Sequence, residues 1–110
     1  MQLEGDLAVA VEDGTPTFAL TVENVSDEPV SCQFNTGCKA DFAVKENSSE
    51  IWRLTDNRMF TQVISSATFD PGEAATFEAT GDELPAGEYT AIGELNATDA
   101  TCLAKTTFTV

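Results

Sequence analysis

Alternation with a period of two runs along almost the whole chain, and turn residues interrupt it at short intervals. Successive side chains of a strand point to opposite faces, so this pattern predicts half-buried strands. Leu7, Val9 and Val11 alternate with small or polar residues up to a turn at Asp13-Gly14. Phe18, Leu20 and Val22 run into Asn24, and a turn at Asp27-Glu28-Pro29 leads to Val30, Cys32 and Phe34. Asn35-Thr36-Gly37 closes that strand. Phe42 with Val44, and Trp52 with Leu54, flank the polar turn Glu46-Asn47-Ser48-Ser49. Asp56-Asn57-Arg58 reads as a loop with room for one helical turn, and residues 63–69 as extended. Asp70-Pro71-Gly72-Glu73 has Pro and Gly at the central positions of a type II turn. Ala75 to Ala79, Tyr89 to Leu95 and Cys102 to Val110 complete the pattern. No segment repeats every 3.6 residues. Eight or nine short strands so spaced predict an all-β fold, an antiparallel β-sandwich with residues 1–110 as one domain.

Charge bounds the partners. Nineteen Asp and Glu stand against five Lys and Arg, a formal net charge of -14 and a pI near 4.1. Phosphate binding needs clustered cations, so neither nucleic acid nor an anionic membrane surface is an expected partner. The acids are scattered rather than gathered in a tail. So much self-repulsion in a compact domain fits work in molar salt, where the Debye length falls to about 3 Å. We therefore read the composition as halophilic. The start, MQLEGDLAVAVEDG, lacks the basic and long apolar regions of a signal peptide, and a cytoplasmic location is expected.

Histidine is absent, which removes Ser-His and Cys-His nucleophile pairs and His metal sites. Cys32, Cys38 and Cys102 have no zinc spacing. They read as small buried thiols, or as one disulfide with a thiol left over. No catalytic residue, metal ligand or cofactor site is expected. Three sequons, at Asn24, Asn47 and Asn96, fall in predicted turns.

Residues 41–62 gather the only Trp and both Arg. Trp52 and Phe42 sit on either side of the Asn47 turn, as facing residues of a hairpin would. Phe42, Trp52 and Phe60 are candidate core residues, each able to bury about 150–250 Å². Arg53 points away from Trp52 if the strand is regular, toward acidic neighbours. Tyr89, after Pro85 and Gly87, is a fourth core candidate. It has the look of the tyrosine corner of immunoglobulin-like sandwiches.

The order of these landmarks resembles the BsuPI family of intracellular proteinase inhibitors. The matching positions are Asp41, Phe42 and Val44; Trp52 and Arg53; Phe60 and Gln62; Pro71, Gly72 and Glu73; Pro85, Gly87 and Tyr89. The resemblance covers about residues 17–96. Ala40 stands where the family pattern has an aromatic, and Ser48-Ser49 where it has a Gly. The resemblance implies an immunoglobulin-like antiparallel β-sandwich, no enzymatic activity, and a protein partner that is an intracellular serine protease. It implies no particular reactive residue. Binding through loops at one end of the sandwich points to the 35–39 loop, with Asn35, Thr36 and Gly37, and the 55–59 loop, with Asn57, Arg58 and Met59. The alternative reading is an interaction or adhesion module of a surface protein.

Overall fold

A computed structural model describes residues 2–57 and 59–110, with the backbone alone at Asn57. Among these residues nine strands and one helical turn follow in sequence. They are β1 (Leu3–Glu12), β2 (Thr15–Asn24), β3 (Val30–Phe34), β4 (Ala40–Glu46), β5 (Ser49–Arg53), α1 (Leu54–Asn57), β6 (Ser65–Phe69), β7 (Ala74–Thr80), β8 (Glu88–Leu95) and β9 (Leu103–Thr109). All pairings are antiparallel, in the orders β1-β2-β7, β3-β6 and β5-β4-β8-β9. The fold is an all-β sandwich of immunoglobulin-like character.

The turns follow from their residues. Glu12 pairs with Thr15, so Asp13 and Gly14 form a two-residue hairpin loop, with φ of 52° and 79°. Positive φ at both central positions matches the strand twist, and an Asp-Gly pair adopts it cheaply. Gly72 sits at φ 81°, and Glu73 N–H donates to Asp70 O at 2.9 Å, as the type II turn requires. The Tyr89 hydroxyl donates to Pro85 O at 2.7 Å, which closes the tyrosine corner.

The two large sheets meet through the inward residues of β2, β4 and β8. Phe18 is fully buried, stacked between Phe42 at 5.4 Å and Trp52 at 5.6 Å. A Cβ added at Gly93 of β8 would lie 3.2 Å from Leu7 and 3.4 Å from both Leu20 and Phe42, so the sheets touch closely there. Tyr89 stacks on Phe108 at 5.5 Å. Phe60 is only partly buried and packs on the rim of this core.

Three local expectations are corrected. Trp52 faces Val44, not Phe42, whose partner is Gly93. Two features set this: the turn pairs Glu46 with Ser49, which would put Trp52 opposite Ala43, and a bulge then leaves Ile51 over and moves Trp52 opposite Val44. That single extra residue puts the indole on the core side. Leu54 opens α1 instead of continuing a strand. Asn24 is no turn residue and no accessible sequon: it ends β2 with no exposure. Its Nδ2 donates to Glu28 O (2.7 Å) and Phe69 O (2.8 Å), and its Oδ1 accepts from Ser26 N–H (2.9 Å) and Ser26 Oγ (2.7 Å). These bonds fasten the 25–29 loop and the end of β6 to β2.

Candidate functional site

The sequence pointed to two loops, and the structure brings their neighbourhoods together. Gly37 N–H donates to Thr61 O at 2.8 Å, so the 35–39 loop lies against the segment that follows α1. The 35–39 loop is firmly held. Thr36 Oγ1 accepts from Cys38 N–H at 3.1 Å, while Asn96 gives its backbone N–H to Lys39 O and its Nδ2 to Cys38 O, both at 2.9 Å. Asn35 and Gly37 are exposed and Thr36 half-buried. Met59 is fully exposed at 100%. The Asn57 side chain and Arg58 lie outside the described residues.

Why the chain leaves the sheet here is a matter of one carboxylate. Asp41 on β4 is buried and reaches over the start of α1. Its Oδ1 accepts from Thr55 N–H at 3.2 Å and from Phe42 N–H at 2.9 Å. Its Oδ2 accepts from Thr55 Oγ1 at 3.1 Å and from Arg53 Nη1 at 2.7 Å. Unpaired donors at a helix start are thereby capped. Arg53 also holds Glu50 through Nη2 at 2.7 Å and Nε at 3.2 Å. The hydrogen bonds from Arg53 hold the Glu50 carboxyl below its ordinary range, and those same two carboxylates push the Arg53 guanidinium up. Arg53 is therefore part of a brace between β4, β5 and α1. Trp52 is anchored in turn, its indole N–H donating to Asp82 at 3.1 Å.

Beyond α1, residues 59–64 lie outside every strand and helix. Phe60 packs on the core, while Met59, Val63 (56%) and Ile64 (71%) face solvent. Of these, only Met59 was legible as a site residue from its loop position in the sequence. A usable signal was present: residues 59–69 and 29–38 are the two longest uncharged runs in the chain. The fold joins them. β3 and β6 pair with each other, and the outward residues Ser31, Gln33, Ser66 and Thr68 are all neutral. A shallow depression between Gln33 and Ile64 continues this surface, with Asp99 on its border. A protein of net charge -14 thus has one sheet without a charged residue, and that sheet adjoins its exposed apolar segment.

The three thiols are not activated. Cys32, Cys38 and Cys102 are all buried and unpaired by disulfides. Burial is the main cause that raises each thiol above its ordinary pKa, with Asp99, Asp41 and Glu4 respectively adding to it. Among the described residues, no group of three or more His, Cys, Asp or Glu is placed to hold a metal ion. No described helix is long and apolar enough to cross a membrane.

The class that the structure defines is an all-β sandwich of immunoglobulin-like character, with a braced loop beside a neutral sheet. The chain belongs to the BsuPI family of intracellular proteinase inhibitors, which it matches over residues 3–100. The match includes β1, outside the stretch whose motifs carried the resemblance. The family implies a protease as partner. No curated protein matches the sequence. Among solved structures, the chain is similar to parts of beta-glucosidases. One is the GH3 enzyme of Bifidobacterium adolescentis (TM-score 0.53, 18% identity, 98% of this chain and 17% of that one). Another is beta-glucosidase 3B of Thermotoga neapolitana (0.54, 17%, 98% and 16%). A third is the enzyme of Kluyveromyces marxianus (0.52, 16%, 99% and 14%). The chain spans less than a fifth of the length of each, and at such identity the likeness is one of fold.

Proposed function

We propose that this chain inhibits an intracellular serine protease, in the cytoplasm and at high salt, by seating one end of its sandwich on the enzyme. The contact is made by the 35–39 loop, with Asn35, Thr36 and Gly37, and by the segment that begins with Asn57, Arg58 and Met59 and runs to Ile64. The observation that carries the reading is the charge distribution. The two loops adjoin the β3–β6 ribbon, which has no charged residue, while the other two sheets carry acids such as Glu4, Asp6, Glu88 and Glu94 on exposed positions. Contact between two proteins costs least where few charges must be desolvated and no like charges meet; the proposed contact contains two cations, Lys39 and Arg58, and no acid, with Asp99 at the border of the ribbon. Family membership supplies the kind of partner. The net charge of -14 disfavours nucleic acid and anionic membranes.

The test is capture from native extract in molar salt, then titration of the recovered protease with the purified chain. Ile64→Asp and Ser66→Asp place charge on exposed positions of the face and should weaken inhibition about 10–100-fold, with Trp52 emission unchanged. A protease slowed equally by wild type and both variants refutes the face. Absence of any slowed protease refutes inhibition.

A further inference from the structure

We propose that Met59 is the side chain that enters the protease's primary specificity pocket, and that residues 59–64 lie along the substrate cleft as an extended strand. The target is then an enzyme whose pocket is deep and apolar, suited to a large unbranched residue. This rests on the inhibitor reading and adds the point of attack.

The first support is exposure. A thioether side chain gains by leaving water, yet Met59 is 100% exposed beside Phe60, which packs on the core. The second is conformation. Residues 59–64 follow the last described helix residue without joining any ladder, tethered by the Gly37–Thr61 bond. Proteins commonly bind extended peptides by strand addition, with backbone bonds for affinity and alternate side chains for specificity. Laid out as a strand on the enzyme, at about 3.3 Å per residue, the segment would place Met59 and Ile64 roughly 16 Å apart, so that Val63 and Ile64 would reach the far side of a cleft that Met59 enters.

The third support is preorganisation. The loop leaves Leu54, which is 4% exposed, under the clamp of Asp41 on Thr55. It returns to the rim of the core at Phe60. Flanks fixed in advance reduce the ordering cost of binding. The fourth is chemistry. Met is flexible and unbranched, so it fills an irregular apolar pocket well. The segment MFTQVI has no charge to desolvate.

Two enzymes of opposite pocket chemistry test this: a chymotrypsin-type protease with an apolar pocket, and trypsin, whose pocket ends in a carboxylate. Wild type, Met59→Leu, Met59→Lys and Met59→Asp are titrated against both. Wild type and M59L should inhibit the first enzyme alone. M59K should lose about 100-fold there and gain a comparable factor against trypsin, and M59D should inhibit neither. All four should fold alike, with the same Trp52 emission. If M59D and M59K inhibit the first enzyme within about threefold of wild type while Ile64→Asp does not, the protein inhibits through this face and Met59 is not the specificity residue. If wild type slows neither enzyme, this proposal fails outright. The inhibitor reading then stands or falls by the extract capture.

Discussion

Asp41 lets the brace under the exposed loop be tested by a single substitution. Replacing it with Ala removes four hydrogen bonds, from Phe42 N–H, Thr55 N–H, Thr55 Oγ1 and Arg53 Nη1. The losses are unequal. Thr55 Oγ1 turns to water, because Thr55 is exposed. Arg53, with a side chain 32% exposed, keeps Glu50, so that pair loses little at the surface. Phe42 N–H is the buried donor left without its acceptor, at about 1–3 kcal/mol. Uncapping Thr55 N–H adds about 1 kcal/mol. Asp41→Ala should therefore lower stability by about 2–4 kcal/mol. Asp41→Asn keeps one acceptor but turns an amide toward Arg53, and should lose about 1–2 kcal/mol. The assay is urea unfolding followed by Trp52 emission in molar salt, where a shifted midpoint at constant slope reports stability alone. Hydrogen exchange at Thr55 N–H localises the effect. Glu50→Gln is the control and should leave the midpoint near that of wild type. An Asp41→Ala midpoint indistinguishable from wild type, with Thr55 N–H still protected, would mean that the clamp holds nothing.

Three further outcomes are expected. Asn47 and Ser48 both have positive φ, 51° and 71°, where Ser is strained, so Ser48→Gly should raise stability by about 1 kcal/mol in the same titration. Asn24→Ala strands the carbonyls of Glu28 and Phe69 and the Ser26 N–H, and should cost about 3–4 kcal/mol, read as a drop in Tm at equal concentration. The three thiols titrate above their ordinary value of 9.0 in the folded state. Their contribution is complete below that value and is lost as pH rises through the folded pKa values, because the unfolded chain ionises first. Stability should thus decline above about pH 9. Cys32→Ala should flatten the decline, and a thiol reagent should react only after unfolding.

The strands were legible because burial on one face writes itself into local sequence: Phe18, Leu20 and Val22 need only their own spacing to be read. Asp13-Gly14 and Pro71-Gly72 were legible because turn conformations select those residues. What escaped depends on partners distant along the chain. Nothing near Trp52 announces that Ile51 will bulge, since a two-residue turn at Asn47-Ser48 carries no Gly to fix the register. Asn24 looked like a turn residue because its partner Phe69 O is far off in sequence. Arg53 was expected near acids, yet its pairing with Asp41 exists only once β4 and β5 are in register. The neutral face needs two runs from different parts of the chain, and neither is informative until β3 meets β6.

The family's Asp-Phe, Trp-basic and Phe-x-Gln positions then acquire a common physical role. Asp41 and Arg53 hold the start of α1, Trp52 fixes β5 to the core and to Asp82, and Phe60 returns the chain to the rim. None of them needs to touch a protease. They set where the exposed segment emerges, and on the proposed reading a segment fixed in advance binds at a smaller ordering cost. The side chains that would meet the enzyme lie between and beyond these fixed points, at Met59, Val63 and Ile64. These three side chains are exposed and the core does not depend on them, so on the proposed reading substitutions there should change inhibition and leave stability near that of wild type.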